Sequence, residues 1–200
     1  MVHVPAERRA QLHRVTRETE VSVTLLLDGT GRVDASTGVG FLDHMLESLG
    51  THARFDLDLS ATGDLHVDSH HTVEDVAALL GAALDKALGD RSGIERFGDA
   101  VVPMDESLAS CAIDCSGRGN SVLRIGFPSS SVGGVPTSSI IHFFEVFART
   151  SQITLHLTAS GRDDHHLAEA AFKATARSLR AAVRSDPSRL GLAPSTKGSL

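Results

Sequence analysis

Alternating apolar and polar positions predict strands in the first part of the chain. The alternation covers residues 14–28 and 53–61, so each predicted strand has one buried and one solvated face. The buried face of the first strand comprises Val21, Val23, Leu25 and Leu27. Asp28-Gly29 predicts a turn into a second extended piece, 31–37. We therefore interpret the first strand and this piece as a hairpin.

Helical spacing of apolar residues alternates with these strands. The predicted helices span residues 41–49, 69–88, 141–149 and 165–184. Gly50 and Gly89 follow the first two helices and are typical of helix ends. The remaining strand-like segments are 96–116, 120–127 and 151–159, and a Ser/Gly/Pro-rich loop is predicted at 128–139. Strands and helices thus occur in both parts of the chain.

The second half of the chain repeats the first. Residues 44–63 align without gaps on residues 142–161, with six identities that include His44/His142 and Glu47/Glu145. After a three-residue difference in length, HHTVE at 70–74 matches HHLAE at 165–169. The repeat predicts an internally duplicated α+β fold with two similar sheet-plus-helix halves related by a pseudo-twofold axis. The predicted halves are residues 1–95 and 96–190, followed by a tail at 191–200.

The duplicated histidines and glutamates predict two metal sites. In an HHxxE helix the first histidine and the glutamate share a face, whereas the second histidine points about 100° away and suits another ion. The duplication suggests one ion bound by His44, His71, His165 and Glu169, and a second bound by His70, Glu74, His142 and His166. Three imidazoles and one carboxylate fit Mn²⁺, Fe²⁺ or Zn²⁺.

Composition excludes several classes of partner. The net charge is −6, and the chain has no Trp and no Tyr, so neither the charge nor the aromatic content of a nucleic-acid-binding protein is present. No apolar run approaches the roughly 18 residues of a membrane span. The N-terminal residues lack the apolar stretch of a signal peptide, so we expect a cytoplasmic protein. Cys111 and Cys115 are expected to be reduced.

Motifs along nearly the whole chain resemble the imidazoleglycerol-phosphate dehydratase family. They are RVTRET (14–19), GFLDHML (40–46), ATGDLHVDSHHTVEDV (61–76), RFGDAVVPMDE (96–106), HHLAEAAFKATARSLR (165–180) and PSTKG (194–198). One departure is Ser69, which stands where the family usually has an acidic residue and which we expect to be a helix N-cap. The resemblance implies two Mn²⁺ ions per active site and a 24-subunit homo-oligomer with active sites at subunit contacts.

The resemblance also implies a reaction and its residues. The family removes water from imidazoleglycerol phosphate, a small phosphorylated imidazole, in histidine biosynthesis, with the two metals acting on the imidazole ring as Lewis acids. It implies catalytic roles for Glu18, His71 and Glu169, with Glu18 transferring a proton. The implied substrate-binding residues are Glu18, His44, His70, His71, Glu74, Arg96, Arg118, His165, Lys173, Ser195, Thr196 and Lys197. The arginines and the tail, including Lys197, would bind the phosphate.

Two other functions explain part of the pattern. A noncatalytic metal-binding or storage protein would account for the HHxxE repeats but not for Glu18 or the phosphate-binding cations. A dinuclear hydrolase would use a metal-bound hydroxide, but such enzymes usually have more carboxylate ligands than the two predicted here. The chain contains no Walker loop, no GxGxxG fingerprint and no nucleophile elbow.

Overall fold

The first half of the protein forms a four-stranded sheet with two helices. In the computed structural model, which describes residues 7–186, 188, 191, 192, 194 and 195, its elements are β1 (Arg9–Val15), β2 (Thr19–Leu26), β3 (Val33–Ser36), α1 (Gly40–Ala53), β4 (Asp56–Gly63) and α2 (His70–Leu88). The strand order is β1-β2-β4-β3. Strands β1 and β4 are antiparallel to β2, and β3 is parallel to β4.

The second half has the same order of elements and the same sheet topology. Its elements are β5 (Phe97–Met104), β6 (Ser107–Asp114), β7 (Asn120–Ile125), β8 (Ser131–Val132), β9 (Val135–Pro136), α3 (Thr137–Thr150), β10 (Thr154–Ser160) and α4 (Asp164–Ala182). The strand order β5-β6-β10-β7 reproduces that of the first sheet. Strands β5 and β10 are antiparallel to β6, and β7 is parallel to β10. Among the described elements, only the two-residue strands β8 and β9 have no counterpart in the first half.

The helices of both halves lie between the two sheets. Helix α1 packs against α4, and α2 packs against α3, while α2 covers the first sheet and α4 covers the second. Exchanging α1 with α3 and α2 with α4 converts one helix pair into the other, as a pseudo-twofold requires. This arrangement confirms the predicted α+β fold of two similar sheet-plus-helix halves. The division at residue 95 stays a prediction, because the two halves share one continuous hydrophobic core.

The predicted hairpin of 14–28 with 31–37 is wrong. Residues 9–26 already form a hairpin, β1–β2, and the other edge of β2 pairs with β4. Strand β3 therefore lies beside β4 instead of β2. The physical reason lies in Asp56, at the start of β4, whose carboxylate accepts the backbone N–H groups of Thr30, Gly31 and Arg32 and so ties this turn to β4.

Several predicted boundaries also change. Gly50 does not end α1, which continues to Ala53; a side chain at Gly50 would come within 2.5 Å of Val33 in β3, so glycine permits close packing there. The segment 96–116 is two strands, β5 and β6, joined at Asp105, which has a φ of 47°. The predicted loop at 128–139 contains β8, β9 and the first turn of α3. In the described part of the chain, no helix is both long and apolar enough to cross a membrane.

Candidate metal centre

One cluster of potential metal ligands joins α1 to α4. His44 lies on α1, and His165 and Glu169 lie one turn apart at the start of α4. The Nε2 atoms of His44 and His165 lie 3.7 Å and 3.9 Å from the carboxylate oxygens of Glu169. One ligand atom from each residue lies within 4.8 Å of the other two. These three residues, called the His44 cluster below, are close enough together to bind one ion.

A second cluster joins α2 to α3 in the equivalent way. His70 and Glu74 lie one turn apart at the start of α2, and His142 comes from α3. The Nε2 atoms of His70 and His142 lie 3.5 Å and 3.6 Å from the Glu74 carboxylate, and the two rings stack at 5.6 Å. The Nδ1 atom of His142 lies 3.0 Å from Glu145 Oε2. His70, Glu74 and His142 form the His142 cluster.

Aspartates stabilise the starts of the two ligand-bearing helices. The Asp163 carboxylate accepts the backbone N–H groups of the two histidines that open α4. At the start of α2, Asp68 accepts the N–H of His70. Ser69 is the N-cap residue of α2, as predicted, but its side chain makes no capping hydrogen bond. Asp68 accepts the helix N–H instead, and the buried Ser69 hydroxyl has no hydrogen-bond partner among the described residues. Both helices thus begin with the ligand-bearing turn held by a carboxylate.

His71 and His166 lie outside both clusters within a single described chain. They point away from the HHxxE faces, as helix geometry requires, and each donates its Nδ1–H to a carboxylate. His71 Nδ1 lies 3.0 Å from Asp64 Oδ2, and His166 Nδ1 lies 3.0 Å from Glu106 Oε2. An ionised carboxylate can only accept a hydrogen bond, so the ring proton is on Nδ1 in both histidines. Nε2 is the ring nitrogen that these hydrogen bonds leave open.

These hydrogen bonds also shift the acidities of the paired groups. The Asp64 hydrogen bond raises the pKa of His71, and the Glu106 hydrogen bond raises the pKa of His166. In return, the hydrogen bond from His166 holds the pKa of Glu106 well below its usual range. Glu106 therefore remains an ionised acceptor near neutral pH.

Glu18 lies in the β1–β2 turn, beside His71. Its backbone carbonyl accepts the N–H of Asp64, the residue that holds the His71 ring. The charge of Glu18 contributes to the raised pKa of His71. The Glu18 side chain is exposed and its carboxylate makes no hydrogen bond within the described residues. The structure thus brings Glu18 close to the second histidine of the first HHxxE motif.

The predicted phosphate-binding arginines gather around Asp114 at the end of β6. Arg96 binds both carboxylate oxygens of Asp114, at 2.7 Å and 3.1 Å, and Arg118 lies 3.6 Å from one of them. Arg96 Nη1 also donates to the Pro194 carbonyl, at 2.8 Å. This bond places Pro194, and with it the adjoining Ser195, beside Arg96. Asp114 neutralises part of their charge and holds Arg96 in a defined orientation.

Three further predicted substrate-binding residues lie at the His44 cluster or outside the described chain. Lys173 lies at the His44 cluster, with Nζ 2.9 Å from Glu169 Oε1. Thr196 and Lys197 lie outside the described residues. Their part in phosphate binding stays a prediction.

Neither ligand cluster is enclosed by the described residues of its own chain. The histidine side chains of the two clusters are 30–47% exposed. His44 lines an open groove between β3 and α1. A larger concave region, of about 520 Å³, lies on the outer face of the first sheet and contains none of the predicted ligands. The described part of a single chain thus leaves one side of each cluster open.

Sequence reasoning missed the carboxylates that contact the histidines and arginines. Asp64, Glu106 and Asp114 gave no signal, because each reaches its partner only through sheet and turn geometry. Glu145 was one of the repeat identities, and its position three residues after His142 on a helix indicated contact.

Comparison with known proteins identifies the family. The family model described as "Imidazoleglycerol-phosphate dehydratase" matches residues 37–179. The imidazoleglycerol-phosphate dehydratase of Methanoculleus marisnigri is 53% identical over 193 residues, covering 96% of this chain and 100% of that protein. The enzyme of Gluconobacter oxydans is 50% identical over 194 residues, with coverages of 96% and 98%.

Solved structures of this family have the same fold. The dehydratase from Pyrococcus furiosus superposes with a TM-score of 0.81 at 32% identity, covering 94% of this chain and 100% of that one. The dehydratase from Staphylococcus aureus gives a TM-score of 0.78 at 30% identity, with coverages of 88% and 99%. Sequence and structure agree over nearly the full length, and this chain belongs to the imidazoleglycerol-phosphate dehydratase family.

Proposed function

We propose that this chain dehydrates imidazoleglycerol phosphate to imidazoleacetol phosphate in histidine biosynthesis, in a metal-dependent reaction. Family membership supports the reaction class, which makes the chain a hydro-lyase. The observation that carries the metal dependence is the pair of symmetric His/His/Glu clusters. A storage protein or a hydrolase would not need the arginine and tail group around Asp114 as well.

The residues of both clusters fit a transition-metal ion. Each cluster offers two imidazoles and one carboxylate with ligand atoms within 4.8 Å of one another. The absence of thiolates favours Mn²⁺, Fe²⁺ or Zn²⁺ over softer ions. We propose two Mn²⁺ ions per active site. When bound, the ions supply Lewis acidity toward the imidazole ring of the substrate.

The fourth ligand of each site is proposed to come from another copy of the chain. His71 and His166 lie outside the clusters of their own chain, yet each donates Nδ1–H to a carboxylate, as metal-binding histidines usually do. The open side of each cluster leaves room for such a residue. We propose that His71 completes the His44 cluster of a neighbouring copy and that His166 completes a neighbouring His142 cluster. The proposed assembly is the 24-subunit homo-oligomer implied by the resemblance.

The residues outside the clusters have proposed roles in binding the substrate. Arg96, Arg118 and the tail residues Ser195, Thr196 and Lys197 bind the phosphate, with Asp114 orienting Arg96. Lys173 adds a positive charge beside Glu169. Glu18 removes the proton from C2 of the substrate, because it is exposed, beside His71 and not otherwise hydrogen-bonded in the described chain.

The test of this function is turnover of imidazoleglycerol phosphate by the purified protein, before and after chelation. We expect formation of imidazoleacetol phosphate, its loss when the metal is removed, and its return with added Mn²⁺. The metal content is measured on the same samples by elemental analysis. A protein that binds two ions per chain but does not turn over the substrate would contradict the proposal and favour a storage role or a hydrolase.

Replacing Lys197 tests the proposed phosphate site. Lys197→Ala is expected to raise KM about ten- to hundredfold, because a hydrogen bond to a charged group contributes roughly 1.5–3 kcal/mol. Steady-state kinetics should show little change in kcat. Lys86→Ala, which removes an exposed lysine from α2, is the control and should leave KM unchanged. An unchanged KM for Lys197→Ala would remove this residue from the phosphate site.

A further inference from the structure

The two halves of the chain place one glutamate each at equivalent positions. In the first sheet Thr19 lies opposite Gly63. In the second sheet the same register sets Ser107 against Gly161, where an added Cβ would lie 2.8 Å from the Ser107 Cβ. Since the two glycines are equivalent in the sequence repeat, the residues preceding Thr19 and Ser107 are equivalent too. These residues are Glu18 and Glu106.

In the second half, both carboxylate oxygens of this glutamate accept hydrogen bonds. One Glu106 oxygen accepts the Nδ1–H of His166 at 3.0 Å. The other accepts the backbone N–H of Asp163 at 3.0 Å and the hydroxyl of Ser107 at 2.9 Å. Glu106 thus fixes the ring of His166 and cannot reach a substrate without breaking these bonds.

In the first half another carboxylate performs this task. His71, the counterpart of His166, donates its Nδ1–H to Asp64 at 3.0 Å instead of to Glu18. Asp64 directly follows Gly63, so its counterpart after Gly161 is Arg162, which has no acceptor on its side chain. Each half therefore has one carboxylate for its histidine, but at different positions of the repeat.

We propose that Asp64 is a positioning residue that holds His71 as a metal ligand and so leaves Glu18 free for the substrate, whereas Glu106 only positions His166. The inference rests on the proposed function. It explains why two equivalent glutamates serve different purposes. A carboxylate on Nδ1 fixes the tautomer and the ring orientation, so that Nε2 is presented to a metal ion.

Metal affinity tests the inference without any substrate. Each variant is equilibrated with Mn²⁺ against a chelator of known affinity, and the bound metal is counted. Asp64→Ala and Glu106→Ala are each expected to weaken binding at one of two sites by about 10- to 100-fold. Asp64→Asn keeps an oxygen acceptor for Nδ1–H and should restore much of the affinity lost in Asp64→Ala. Glu18→Ala should bind Mn²⁺ as the unmodified protein does.

Two results would overturn the inference. One is an unchanged Mn²⁺ affinity in a folded Asp64→Ala protein, and the other is an equal loss of affinity in Glu18→Ala and Glu106→Ala. If Asp64→Ala does not fold, as judged by circular dichroism, the comparison of the two equivalent glutamates still decides the question. Failure of the proposed function would look different, because the unmodified protein would then bind Mn²⁺ without turning over imidazoleglycerol phosphate.

Discussion

Two inactive variants, His44→Ala and His71→Ala, are expected to restore activity to each other when they are co-expressed. Each variant alone should lose turnover, because every His44 cluster lacks either its own imidazole or its proposed fourth ligand. In a mixed oligomer, one metal site takes its cluster from one chain and His71 from another. Random mixing then leaves about a quarter of the sites intact, and about a quarter of the activity should return. Turnover of the co-purified mixture measures this recovery.

The matched control combines His44→Ala with His165→Ala. Both residues belong to the same cluster of the same chain, so no arrangement of the two variants produces an intact site. This mixture should stay inactive. If the His44→Ala and His71→Ala mixture also stays inactive while forming the normal oligomer, His71 does not act across a subunit contact. A single His71→Ala protein with full activity and full metal content would contradict its role altogether.

Replacing Glu18 by glutamine is expected to lower kcat by about 10²- to 10⁴-fold, the usual contribution of a positioned acid or base. Glutamine keeps the size and polarity of the side chain but cannot accept the proton. Because Glu18 makes no hydrogen bond through its carboxylate within the described chain, the fold should not change. KM and the bound metal should remain close to their original values, since neither the clusters nor the phosphate site is altered.

Glu20→Gln is the matched control for this prediction. Glu20 lies two residues after Glu18, in β2. It is exposed and contacts His13 at 3.0 Å on the outer face of the sheet. The substitution should leave kcat near its original value. A kcat for Glu18→Gln within about twofold of the unmodified protein would exclude Glu18 as the proton-transfer group. Proton transfer by a positioned side chain contributes at least about a hundredfold to kcat.

The elements with strong periodicity were predictable, whereas the pairing of short strands was not. Helices α2 and α4 follow directly from apolar residues that recur at helical intervals. The register of β3 depends on Asp56, which lies 24 to 26 residues after the turn that it binds, and no local pattern reveals such a contact. The end of α1 was misjudged because glycine occurs both at helix ends and at close crossings. Only the position of Val33 distinguishes the two at Gly50.

The sequence by itself determined the duplication and the two residues per motif that share a helix face. These features are local, because residues i and i+4 of a helix are neighbours in any surroundings. The sequence alone therefore pairs His70 with Glu74 and His165 with Glu169. The tertiary structure decided that α1 meets α4 and α2 meets α3, which brings the third histidine predicted for each pair, His44 or His142, beside it. It also decided that the Nδ1–H of His71 meets Asp64, whereas that of His166 meets Glu106. Those contacts join residues far apart in the chain, and their geometry comes from sheet register and helix packing, which sequence spacing does not encode.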